Sequence, residues 1–201
     1  MAFWDRFRAP DFHALTTQTL GSGAAHYDIP PQQTCGPWSW LSCCGPILEG
    51  DCGARGCYRG IAFDYAIAVK VFATERDRRI GSRSFDASIL TLPELRWPGG
   101  ELFACTGRPF GRPRGDGWVQ NGNCRGLAVW VRGEFVNVLQ EEKLDALLRW
   151  VDNSFAAFVS CRYALYAGAH GIRVLLWDPE SNSYQWDIEC LRDALDALPV
   201  L

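Results

Sequence analysis

Apolar residues recur at two different periods along this chain. In EEKLDALLRWVDNSFAAFV, Leu144, Leu147, Leu148 and Val151 fall at i, i+3, i+4 and i+7, the spacing of one helix face. Glu141 and Glu142 stand in the first turn, where the positive end of the helix dipole favours them. ECLRDALDALPVL places Leu191 and Leu195 at the same spacing and predicts a closing helix. Alternating runs rich in β-branched and aromatic residues predict strands at IAFDYAIAVKVF, SFDASILTL and ELFACTG. The stretches TERDRRIGSR, PELRWPGG, TGRPFGRPRGDG and QNGN carry Gly, Pro, Asn or charge clusters and read as turns or loops.

Two longer stretches share one order. CRGLAVWVRGEFVNVL reads strand, Arg132-Gly133 turn, strand, and a helix follows. HGIRVLLWDPESNSYQWDI reads strand, DPESNS turn, strand, and the closing helix follows. A hairpin with one helix cannot bury its apolar face alone, so units near 124–150 and 170–198 are expected to pack together. The expected fold class is therefore α+β, with repeated strand-turn-strand-helix units in one domain over residues 35–201. Residues 1–34 are expected to form an N-terminal segment, in which Phe3, Trp4 and Phe7 share one face of a short helix.

Composition narrows the class. Hydrophobic residues make up 48% and charged residues 21%, which suits a packed core and excludes a disordered chain. A net charge of −3 gives no global attraction to nucleic acid or anionic membranes. The N-terminus carries charge throughout and no run reaches eighteen apolar residues, so neither a signal peptide nor a membrane span is expected. The nine cysteines are then expected to be reduced thiols, as in cytoplasm or nucleus. Of the twenty basic residues only Lys70 and Lys143 are lysines.

Three constellations carry candidate chemistry. Cys124, with His170 on a predicted strand and Asp187 on the next, matches the order of a papain-like thiol centre, and Gln120 is a candidate oxyanion donor. The Asn-Cys-Arg-Gly-Leu context resembles the nucleophile segments of OTU and YopT-type peptidases. Cys35, Cys43, Cys52 and Cys57, with Cys44 and His26 nearby, are candidate zinc ligands, although no tight CxxC pair is present. Arg108, Arg112 and Arg114 around Phe110 form the best local candidate for a partner, anion or nucleic-acid contact, since guanidinium and aromatic groups hold phosphate and stack bases. No phosphate-loop motif is present.

The run WSWLSCCGPIL is similar to the hydrophobic-Cys-Cys-hydrophobic signature of the US-twenty-two family of betaherpesvirus proteins. GLAVWVRGEFVNV with EEKLDALL, HGIRVLLWDPESNSYQW with ECLRDAL, and ELFACTGRPFG resemble the strand, turn and helix units of that family, although DPESNS replaces the Gly turn in the second. The resemblance covers roughly residues 38–198 and implies a SUKH-like domain without catalytic residues or cofactor. It further implies action by sequestering a host or toxin protein, as a viral antagonist of host antiviral defence or cell death. The alternative expectation is a cysteine peptidase.

Overall fold

A computed structural model describes residues 11–28, 33–34, 47–49, 52–72, 84–97, 100–105, 113, 116–124, 126–133, 138–155, 162–169, 171–177 and 184–199. Its elements are α1 (Asp11–Leu20), β1 (Ala24–Asp28), β2 (Gln33–Thr34), β3 (Ile47–Glu49), β4 (Cys52–Tyr58), β5 (Ile61–Phe72), β6 (Ser84–Leu92), β7 (Glu101–Cys105), β8 (Val119–Cys124), β9 (Leu127–Arg132), α2 (Val138–Phe155), β10 (Arg162–Gly168), β11 (Gly171–Trp177) and α3 (Tyr184–Asp196). The strands form one antiparallel sheet in the order β1-β4-β5-β6-β11-β10-β7-β9-β8. On the edge of β5 shared with β4, β3 pairs the far end and carries β2.

This mainly β architecture overturns the expected α+β fold of repeated strand-turn-strand-helix units. Both hairpins lie one strand upstream of their expected places. Leu127–Arg132 is the second strand of its hairpin, paired to β8, and Gly171–Trp177 is the second strand of another, paired to β10. The segment YQWDI, expected as a strand, is the start of α3. The two hairpins do not adjoin, because β7 lies between them and pairs with both β9 and β10. The fold is one continuous sheet that crosses from strand to strand.

All three helices among the described residues contribute to a single core on one sheet face. The predicted helix phase holds: Leu144, Leu147, Leu148 and Val151 of α2 and Leu191 and Leu195 of α3 are buried. They meet Leu102, Ala104, Val129, Leu165, Ala167, Ile172 and Val174 from the middle strands. Each fully buried aliphatic side chain stabilises the fold by about 1.5–3 kcal/mol relative to exposure. Trp150 donates its Nε1–H to the Ala194 carbonyl at 2.7 Å, which joins α2 to α3. Tyr163 donates to Asp152 Oδ1 at 2.8 Å, which joins β10 to α2. From the N-terminal segment, Leu20 and Ala24 enter the same core and β1 pairs with β4.

The turn between β4 and β5 clasps the end of α3. Arg59 and Gly60 have φ of 49° and 83°, the left-handed pair that a two-residue hairpin turn requires. Arg59 Nη1 lies 2.8 Å from Asp196 Oδ1, and the Tyr58 hydroxyl donates to Asp196 Oδ2 at 3.2 Å.

Candidate functional site

Strand alternation in β7 sends Leu102 and Ala104 to the helix-covered core, so Glu101, Phe103 and Cys105 belong to the other face. The register extends that second face across the sheet. Arg55, Asp64, Thr91, Arg173, Tyr166, Phe103, Trp130 and Gln120 stand opposite one another in turn, one per strand from β4 to β8. The row changes character along its length. Arg55 and Asp64 form an exposed cross-strand ion pair at 3.4 Å. Phe103, Tyr166 and Trp130 are buried, and so is Trp118, which precedes β8. The Phe103 ring lies 6.4 Å edge-on from Trp118 and 5.8 Å from Trp130.

A charged group is set against these aromatics. Glu101 Oε2 accepts from Arg132 Nε, with Nη2 of the same guanidinium beside it, and Oε1 accepts from the Tyr166 hydroxyl. Arg132 lies 5.0 Å over the Trp118 ring, and Arg173 lies 5.7 Å over the Tyr166 ring. A Cβ at residue 168 would come within 2.6 Å of the Tyr166 hydroxyl, so Gly168 leaves the space through which that hydroxyl reaches Glu101. Burial, then the Glu101 hydrogen bond and charge, push the Tyr166 phenol up to about 12, against the opposing pull of Arg173 and Arg132. Burial lowers the Arg173 guanidinium from its ordinary value. A phenol so raised stays protonated at neutral pH and acts as a fixed donor to Glu101, rather than as a proton shuttle. These groups tie β7, β9 and β10 together.

Beside this frame, β8 closes the row as the terminal strand of the sheet among the described residues. Val119 to Asn123 are exposed and Cys124 is half-buried. Val119, at 64% exposure, is the one exposed large hydrophobic residue among the described residues. Gln120 pairs with Trp130 and Asn123 with Ala128, so one extra residue bulges between them. Gly122, at φ 95°, supplies the left-handed conformation there.

The sequence candidates fare differently. Cys124 ends β8 and packs against the core, and Gln120 is exposed on the same strand. Asp187 lies in α3, not on a strand as expected. His170 falls outside the described residues, but Gly168 and Gly171 pair at the closed end of β10 and β11. That end lies three strands across and at least five residues along from Cys124, about 20 Å at ordinary strand spacings. Arg108, Phe110, Arg112 and Arg114 lie outside the described residues; Pro113 among them is buried. Cys35, Cys43 and Cys44 also lie outside them. Cys52 and Cys57 stand five residues apart in β4. His26 sits in β1. Among the described residues no group of three or more His, Cys, Asp or Glu could hold a metal ion. Cys57, Cys105, Cys124 and Cys190 are not in disulfides. No helix among the described residues is long and apolar enough to cross a membrane.

No family model and no curated protein matches the chain. Among solved structures it is similar to the mycobacterial trehalose monomycolate transport factor A, TtfA, with a TM-score of 0.40 at 17% identity, over 96% of this chain and 98% of that one. A likeness at that level says nothing of function. Fold and site together define a mainly β chain with a rigid aromatic and ionic frame behind an exposed edge strand.

Proposed function

We propose that this chain is a non-enzymatic binding protein that takes an extended strand of a protein partner along the outer edge of β8. The observation that carries this reading is the exposure of Val119 to Asn123 on the terminal strand of a large sheet. An open edge offers unpaired backbone N–H and C=O groups, and strand addition uses them for affinity and the flanking side chains for specificity. The frame behind it supports the same reading. Phe103, Trp118 and Trp130 hold the inner side by packing, and Glu101, Arg132 and Tyr166 answer one another's charge and hydrogen bonds. The distance between Cys124 and the neighbours of His170 counts against a thiol centre. That the partner is a host protein and the chain a viral antagonist rests on the US-twenty-two resemblance alone, whose Cys-Cys run lies outside the described residues.

The test is affinity capture from the source cells, comparing the native chain with Asn121→Pro. Asn121 sits in the bulge, where proline removes an edge amide at least cost to pairing with β9. Proteins retained by the native chain should be lost by the variant while thermal unfolding is unchanged. Equal capture by both would contradict the reading. So would labelling by a thiol-directed peptidase probe that disappears in both Cys124→Ala and His170→Ala.

A further inference from the structure

We infer that α1 is a detachable arm: it swings away on the Gly21 turn while the sheet, α2 and α3 stay folded, and so uncovers the part of β1 and α3 on which it rests. This stands apart from the reading of β8. α1 packs against β1 and α3. Among its described side chains, Thr16 and Leu20 are buried, one helical turn apart on the same face, while Ala14 and Gln18 are exposed. Half of that docking face works against docking. Thr16 Oγ1 is buried without a hydrogen-bond partner, so seating α1 strips a hydroxyl of water and gives it nothing in return. The helices α2 and α3 are held differently. α2 seats Leu144, Leu147, Leu148 and Val151, α3 seats Ile188, Leu191 and Leu195, and the Trp150 hydrogen bond to the Ala194 carbonyl ties the two together. The turn behind α1 supplies a pivot with a fixed base. Gly21 has a φ of 84° and a Cβ there would meet nothing within 4 Å, so the chain turns in open space. Two residues on, the Gly23 carbonyl accepts from the Cys57 amide at 3.0 Å, and a Cβ on Gly56 would meet that carbonyl oxygen at 2.0 Å, which fixes the start of β1 against β4. A short arm with an unfavourable contact, joined by a free turn to a pinned strand, opens more easily than the fold it rests on.

The experiment is native-state hydrogen exchange of the full chain in rising, sub-denaturing urea, with Thr16→Val and Thr16→Ser. The α1 amides should exchange by an opening that depends little on urea, while those of α2 and β10 exchange through an opening that depends steeply on it. Valine keeps the shape of threonine and removes the hydroxyl, so Thr16→Val should slow α1 exchange about tenfold and leave α2 and β10 unchanged. Thr16→Ser keeps the hydroxyl and should give α1 no added protection. If Thr16→Val slows α1, α2 and β10 by the same factor, or if α1 shares the urea dependence of α2, the helix opens only with the whole fold and the inference is overturned. A Thr16→Val variant whose α1 exchange is unchanged would overturn it as well, because the buried hydroxyl would then not be what loosens the arm.

Discussion

Strands β10 and β8 belong to one sheet, three places apart, and their surroundings are opposite. From Tyr163 to Gly168 every residue of β10 is buried, on the helix side through Tyr163, Leu165 and Ala167 and on the other through Ala164 and Tyr166. From Val119 to Asn123 every residue of β8 is exposed. The sequences reflect this. RYALYAG is filled with side chains that pack, and VQNGNC with side chains that hydrogen-bond to whatever comes. Burial from both faces makes the middle of the sheet the source of stability. An edge that buries little contributes little to folding and is free to serve contact.

Substitutions that act only through stability should therefore grade steeply from the middle to the edge. The largest effect is expected at Phe103, fully buried between Trp118 and Trp130: Phe103→Ala should cost about 3–5 kcal/mol in urea unfolding. A cost under about 1 kcal/mol would mean that the second face is not packed. Leu147→Ala on the helix side should cost about 2–5 kcal/mol by the same measurement.

Glu101→Gln comes next, because it withdraws a carboxylate from both Arg132 and Tyr166, and about 1–3 kcal/mol is expected. It also has a spectroscopic signature. The Tyr166 phenol is raised from 10.0 to about 12, so folding favours its neutral form. Its contribution to stability is complete below pH 10 and is lost as pH rises through 12. Ultraviolet titration of the native chain, read against Tyr166→Phe, should show Tyr166 ionising near 12, and in Glu101→Gln that step should move back toward 10. An unmoved step would remove Glu101 from the cause.

The smallest change in stability is expected on β8. Val119→Thr and Asn121→Lys should shift unfolding by no more than about 0.5 kcal/mol, since neither side chain is buried. A loss of several kcal/mol there would erase the contrast between the two strands.

Elements with a strong period were legible from the sequence. The i, i+3, i+4, i+7 series of α2 and the alternation of β5, β6 and β7 lie where the pattern puts them. YQWDI misled because Tyr184, Trp186 and Ile188 alternate as in a strand, while Ile188, Leu191 and Leu195 also follow the helix period that the structure adopts. The apolar pattern hides β4 and β8 for different reasons. In CGARGCY the glycines permit close approach: a Cβ on Gly56 would meet the Gly23 carbonyl oxygen at 2.0 Å. In VQNGNC no apolar alternation exists, because an edge strand has nothing to bury. The frame of Glu101, Arg132 and Tyr166 is held by register. Its members lie 31 and 65 residues apart, and nothing in one sequence says that those positions face each other.

If the outer edge of β8 is open in the single chain, its backbone amides exchange freely. Hydrogen exchange of residues 119–124 in dilute native protein tests this most directly. Fast exchange there, while the amides of β10 stay protected, is the expected result. Slow exchange of 119–124 would show an edge already covered by its own chain, and would contradict the reading of β8 as a binding edge.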